Sequence, residues 1–221
     1  MEKGSKKDKK DKTPPPSYSF KYLLKSRPSY STVILTASPL TSSLGLGAFP
    51  ESSNIGAITC TKTSGNVRTT LSIATVYHIP SFLYVSTNEK LRPEFSINFV
   101  ESLISEGLLK GSVLVLDSIC ESEYVGDKRT RIKNIYSKVS GHASNLDSGN
   151  SLKGVVAATL IAGEVHDLNV RCVIGVPESY ELSTENLQIF QQVSEEISLN
   201  VNWLNGIHRY EQEKFKHQIY S

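Results

Sequence analysis

The chain has 221 residues, of which 38% are hydrophobic and 21% charged, with 14 glycines and 9 prolines, the composition of one soluble globular domain with at most short tails. This excludes a collagen, a coiled coil and a disulfide miniprotein. The net charge of +2, from 24 basic and 22 acidic residues, is too near balance for a dedicated nucleic-acid binder.

The charge is unevenly placed. Six lysines (Lys3, Lys6, Lys7, Lys9, Lys10 and Lys12) against Glu2, Asp8 and Asp11 give Met1 to Pro16 a charge of +3 and leave the remainder at −1. This segment has almost no apolar side chains beyond Met1 and the prolines, so it cannot offset the entropy of ordering and is expected to be a disordered basic tail. A solubilising tail suits the interrupted lysines better than a nuclear-localisation signal or an acidic-surface tether does.

From Lys21 the pattern becomes that of a folded domain. Ser31 to Thr36, Ile55 to Thr61, Leu71 to Tyr77 and Ser81 to Ser86 are β-branched and aromatic runs separated by turn residues, and they predict strands. Glu94 to Leu109 follows Pro93 and sets Phe95, Ile97, Phe99, Val100, Leu103, Ile104 and Leu108 largely on one side of a helix that Gly111 ends. Ser112 to Ile119 reads as a strand covered on both faces.

Glu121 to Ser151 is polar, carries Lys128, Arg129, Arg131, Lys133 and Lys138, and reads as a long mobile excursion, with an anion site as the functional alternative. Leu152 to Asp167 then predicts a helix of small and aliphatic residues, and Val170 to Val176 a second buried strand. Ser183 or Thr184 can cap a helix carrying Leu187, Phe190, Val193 and Ile197 and closing at Asn200. A terminal helix from Val201 to about Phe215 would hold Trp203, Leu204 and Ile207. Strands alternating with helices imply a single α/β domain with a mixed or parallel sheet flanked by helices.

Active-site motifs are scarce. Gly45 and Gly47 lack the third glycine of a dinucleotide fingerprint, and no phosphate-binding loop, nucleophile elbow or zincin sequence occurs. Cys60, Cys120 and Cys172 lie far apart, without zinc-ligand spacing, and read as buried strand residues in a reducing compartment. His78, His142, His166, His208 and His217 are scattered, so neither metal nor cofactor is expected. His166 beside Asp167 is an acid/base candidate, but a helix-end cap explains the pair better. The charged N-terminus lacks the apolar stretch of a secretory signal. The longest uncharged apolar run, Gly154 to Gly163, falls short of the roughly 20 residues that cross a bilayer. The protein therefore reads as cytoplasmic, with the nucleus as a second permitted compartment, and as binding no membrane.

The carboxyl end is the most informative stretch. Ile219, Tyr220 and Ser221 place an aliphatic and a tyrosine directly before the free carboxylate, an ending that arises by chance in about 2% of chains of this composition. The carboxylate can pair with a lysine or backbone amides while the two side chains fill an adjoining groove. Such a hook is weak alone and needs a larger docking surface beside it.

Leu152 to Val193, the strand Ser112 to Ile119 and the IYS ending together resemble the proteasome assembly chaperone 1 family. The resemblance covers about the C-terminal half. It implies a non-enzyme with a fold similar to nucleoside phosphorylases, paired with a second, related assembly chaperone on the outer face of the 20S proteasome α ring. It divides the chain into the basic tail 1–16, an α/β chaperone domain 17–213 containing a mobile polar loop at about 121–151, and an HbYX tail (hydrophobic, tyrosine, any residue) over 214–221. Carried over, Ile219 is the hydrophobic anchor, Tyr220 the aromatic that stabilises the pocket between α subunits, and Ser221 the carboxylate donor to a pocket lysine. The alternative is a small-molecule enzyme of phosphorylase-like or hydrolase type, in which His166 and Asp167 converge with the basic loop on an anion. A weaker third reading is an RNA-associated factor using Lys3 to Lys12.

Overall fold

The computed structural model describes residues 17–42, 53–64, 66–87, 93–137, 144–181 and 183–196, together with Ser198, Asn202, Asn205 and His208. Eight strands form one sheet: β1 (Ser17–Leu24), β2 (Thr32–Thr36), β3 (Ser53–Ser64), β4 (Val67–Ile79), β5 (Phe82–Thr87), β6 (Ser112–Ser118), β7 (Ile132–Tyr136) and β8 (Asn169–Gly175). Among the described residues five continuous helical segments accompany them: α1 (Pro39–Ser42), α2 (Pro93–Ser105), α3 (Gly154–Val165), α4 (Thr184–Gln188) and α5 (Gln191–Glu196). The strand order is β1-β3-β4-β5-β2-β6-β8-β7. β5, β2, β6 and β8 run parallel, while β1, β3, β4 and β7 join antiparallel, so the sheet is mixed.

The strand period of two sorts side chains onto two covered faces. Val33, Leu35, Leu83, Val85, Val113, Val115, Val170 and Cys172 face α2 and α3, and pack on Phe99, Val100, Leu103, Val155, Val156 and Ala162. Ile34, Tyr84, Leu114, Leu116 and Val173 belong to the opposite cluster, with Phe190 and Val193. There Gly175 has no room for a side chain, because a Cβ would stand 2.6 Å from the Phe190 ring.

Both crossover helices end in the same way. Leu108 N–H bonds Leu103 C=O at 2.8 Å and Gly107 N–H bonds Ile104 C=O at 2.9 Å, with Gly107 left-handed at φ +68°. This is a Schellman ending, and it stops α2 at Gly107 rather than at the expected Gly111. In α3, Leu168 N–H bonds Gly163 C=O at 3.0 Å and the left-handed position falls to Asp167, φ +52°.

Other differences have local causes. β1 was not expected, yet Tyr18, Phe20, Tyr22 and Leu24 alternate onto the α2 side, where the Tyr18 and Phe95 rings lie 4.3 Å apart and the Tyr22 hydroxyl meets Ser102 Oγ. Ile97, placed on the core side from the sequence, is 54% exposed, whereas Phe99, Val100 and Leu103 are buried. The segment read as a polar loop over about 121–151 contains β7, paired with β8 from Ile132↔Gly175 to Tyr136↔Arg171. The helix expected after Ser183 is two short helices, the first capped by the Ser183 hydroxyl, which accepts Asn186 N–H at 3.2 Å. Asn200 and the terminal helix expected from Val201 lie outside the described residues, apart from Asn202, Asn205 and His208.

Phe99 is fully buried at the centre of the α2 side. Phe99→Ala should cost about 3–5 kcal/mol of unfolding free energy, read from urea denaturation.

Candidate functional site

Open α/β sheets take small ligands where connections leaving adjacent parallel strands diverge. Here that point lies between the carboxyl ends of β2 and β6, since the chain leaves β2 toward β3–β5 and leaves β6 toward β8. Among the described residues this point is lined by the chain's own hydroxyls. Thr41 Oγ1 donates to Leu116 C=O at 3.0 Å, Ser118 Oγ to Ser38 Oγ at 3.1 Å and Tyr84 OH to Thr41 C=O at 2.9 Å. Thr87 Oγ1 donates to Thr36 C=O at 2.8 Å and Ser86 Oγ to Ser42 C=O at 3.0 Å. Among the described residues every buried side-chain N or O atom has a hydrogen-bond partner. These hydroxyls hold α1 against the sheet instead of presenting free donors.

The acid/base pair stands elsewhere. α3 ends at the amino end of β8, so His166 and Asp167 sit at the opposite end of the sheet from that point. β8 has seven residues, and at a strand rise of about 3.3 Å per residue the two ends are about 20 Å apart. His166 Nε2 lies 3.1 Å from Glu101 Oε2 on α2, and its backbone N–H bonds Ala162 C=O at 2.8 Å. Asp167 occupies the left-handed turn of the helix ending. Three of the basic residues expected to join them are engaged with other acids: Arg129 with Asp127 at 3.0 Å, Arg131 with Glu178 at 2.7 Å and Lys133 with Asp147 at 3.1 Å. Lys138 is outside the described residues. The convergence that the enzyme reading required therefore does not occur, and the helix-end explanation of His166 and Asp167 holds.

Lys133 organises the segment after β6. Its side chain is 4% exposed, and its ammonium donates to Asp127 C=O at 2.8 Å and Asp147 Oδ2 at 3.1 Å. The same Asp147 oxygen accepts Tyr124 OH at 2.7 Å and Asp127 N–H at 3.0 Å. Lys133 also lies over the Tyr124 ring, 5.2 Å from its centroid. Burial alone would pull the ammonium down; the Asp147 hydrogen bond and the Tyr124 oxygen outweigh it, so Lys133 stands above its ordinary value. The Tyr124 hydroxyl, and then the Lys133 ammonium, hold the Asp147 carboxyl below its own. The lysine's contacts stay within the domain, which makes it a brace for this segment.

Cys60 and Cys172 lie buried on β3 and β8, and burial pushes both thiols up, so they stay protonated and unreactive. Cys120 follows β6 instead of lying on it, and its Sγ is 3.2 Å from Glu178 O. Among the described residues no cluster of three His, Cys, Asp or Glu could hold a metal ion, and no helix is long and apolar enough to cross a membrane. Ile219, Tyr220 and Ser221 lie outside the described residues, as do Gly45, Gly47, Trp203, Leu204, Ile207 and Phe215. Among the described residues the last continuous element is α5, held by buried Val193 and by Arg171 Nη1 bonding Glu196 Oε2 at 2.7 Å.

No protein-family model matches the chain, and no curated protein matches it. Solved structures do. The crystal structure of Pyrococcus furiosus PbaB, an archaeal proteasome activator, is 11% identical and superposes with a TM-score of 0.61, over 91% of this chain and 99% of the other. Pyrococcus furiosus PbaA, an archaeal homolog of proteasome-assembly chaperone, is 10% identical with a TM-score of 0.58, over 91% and 90%. A Thermoplasma acidophilum protein of unknown function is 10% identical with a TM-score of 0.61, over 89% and 90%. At these identities the likeness is one of fold, and it extends over nearly the whole of each chain.

The Lys133 brace predicts a pH dependence. Because the Asp147 carboxyl is depressed in the folded state, its stabilising contribution is complete above the ordinary carboxylate value and is lost as pH falls through the folded value. Asp147→Asn should lower the melting temperature at pH 7 and shrink the further loss on acidification, both measured by thermal melts from pH 7 to 3.

Proposed function

We propose that this chain is a non-catalytic proteasome assembly chaperone that works as one half of a heterodimer with a related chain. The observation that carries the reading is the Ile219-Tyr220-Ser221 ending on a chain whose fold is shared, across 91% of its length, with an archaeal homolog of proteasome-assembly chaperone. Neither part suffices alone, because a three-residue hook binds weakly and a fold hosts many functions. Together they point to one mechanism.

The heterodimer lies on the outer face of the 20S α ring. Ile219 fills the apolar part of a pocket between neighbouring α subunits, Tyr220 packs against its wall, and the Ser221 carboxylate pairs with a lysine there. The tail contributes a second point of attachment, so its modest affinity is multiplied by the effective concentration that the domain's own contact creates. Occupying the face favours correctly closed rings, blocks self-association of α rings and excludes activators. Release on maturation requires that the ring bind the chaperone less well when mature, since a ligand that binds both states equally shifts neither.

The enzyme reading loses its support because His166 and Asp167 are held at a helix ending, away from Arg129, Arg131 and Lys133. Deleting residues 219–221, or replacing Tyr220 by alanine, should weaken association with purified α rings by roughly tenfold or more, equivalent to about 1.4 kcal/mol. The melting temperature and the pairing with the second chaperone should be unchanged. Equal loading of intact and truncated protein would refute the tail assignment.

A further inference from the structure

Three of the large apolar side chains that the fold leaves exposed belong to the α2/α3 layer: Ile97 at 54%, Ile161 at 55% and Val165 at 67%. The Glu101–His166 contact at 3.1 Å fixes their relation. Glu101 stands one turn beyond Ile97 on α2, while His166 adjoins Val165, itself one turn beyond Ile161 on α3. Partly buried Ile104 and Leu160 belong to the same two helices. The surface is thus an apolar strip across two packed helices, interrupted by one polar pair.

The composition of α3 makes this exposure notable. Within Gly154–Val165 only Glu164 is charged, and Thr159 donates its hydroxyl to Val155 C=O of the preceding turn at 2.7 Å. A helix apolar on nearly every side belongs in an interior. The sheet covers Val155, Val156, Ala158 and Ala162, and among the described residues nothing covers Ile161 or Val165.

Charge indicates the kind of cover. Neither α2 nor α3 contains a lysine or arginine, Glu101 and Glu164 are exposed, and Asp167 follows α3. The cations nearest in sequence, Arg92 and Lys110 around α2 and Lys153 before α3, lie beyond the helix ends, and Lys110 is placed over the Tyr30 ring at 4.8 Å. A second copy docked here about a two-fold axis would set these carboxylates against their own equivalents, which opposes association. A partner with cations on either side of an apolar stripe satisfies both demands.

We propose that the α2/α3 face is a docking surface for an amphipathic helix of a different chain, whose apolar stripe lies on Ile97, Ile161 and Val165 and whose flanking lysines or arginines meet Glu101 and Glu164. The proposal is independent of the carboxyl tail and stands or falls separately from it. The probes are two helical peptides of about 18 residues, or five turns, one built of leucine and lysine and the other of leucine and glutamate. They are titrated into the full chain carrying labelled isoleucine and valine methyl groups. The lysine peptide should shift the Ile97, Ile161 and Val165 methyl signals. Its affinity should fall as salt rises, and by roughly tenfold or more in Ile161→Glu. Ile97→Glu serves as a second variant, and thermal melts verify that each variant folds. Equal binding of the glutamate peptide, or shifts confined to other methyl groups, overturns the proposal. So does sedimentation showing self-association of the chain that Ile161→Glu abolishes, which would assign the face to a second copy.

Discussion

Strand β2 sits between β5 and β6 with Val33, Ile34 and Leu35 fully buried, and the need to keep both of its faces dry organises the rest of the molecule. A strand buried on two sides needs a layer on each. α2 and α3 supply one, through Phe99, Leu103 and Val156, and Phe190 and Val193 beyond β8 contribute to the other. The parallel pairings β2/β5, β2/β6 and β6/β8 require crossovers, and two of these crossovers are the helices of the first layer.

That arrangement also determines where recognition can occur. At the carboxyl ends of β2 and β6 a hydroxyl network holds α1 against the sheet, and the segment after β6 is braced by Lys133 and Asp147. The recognition features proposed above, a carboxyl tail with a hydrophobic-tyrosine ending and an acidic apolar helix face, both suit a protein that acts by occupying surfaces.

Some of this was legible residue by residue. The runs TVILT, FLYVST, SVLVLDS and NVRCVIG are largely apolar, as strands covered on both faces are, and their positions follow from composition. β1 escaped because it lies directly behind the prolines and alternates serine with aromatics; its period of two was nonetheless present in Tyr18, Phe20 and Tyr22. β7, IKNIY, looks like a loop because it carries a lysine. Burying that lysine is tolerable only once Asp147, 14 residues away, is brought beside it, and no local pattern announces such a partner. Ile97 was assigned inward because helical spacing identifies an apolar side but does not reveal how wide a strip the sheet covers.

The α/β alternation, the scarcity of catalytic signatures and the tail ending could be read from the chain alone, because periodicity and chemical identity are local properties. It took the folded arrangement to show that His166 and Asp167 stand apart from Arg129, Arg131 and Lys133, that Lys133 is interior, and that Ile161 and Val165 are left outside. Each of these depends on which distant element arrives to cover a side chain, and that is set by strand order and crossover direction rather than by neighbours in sequence.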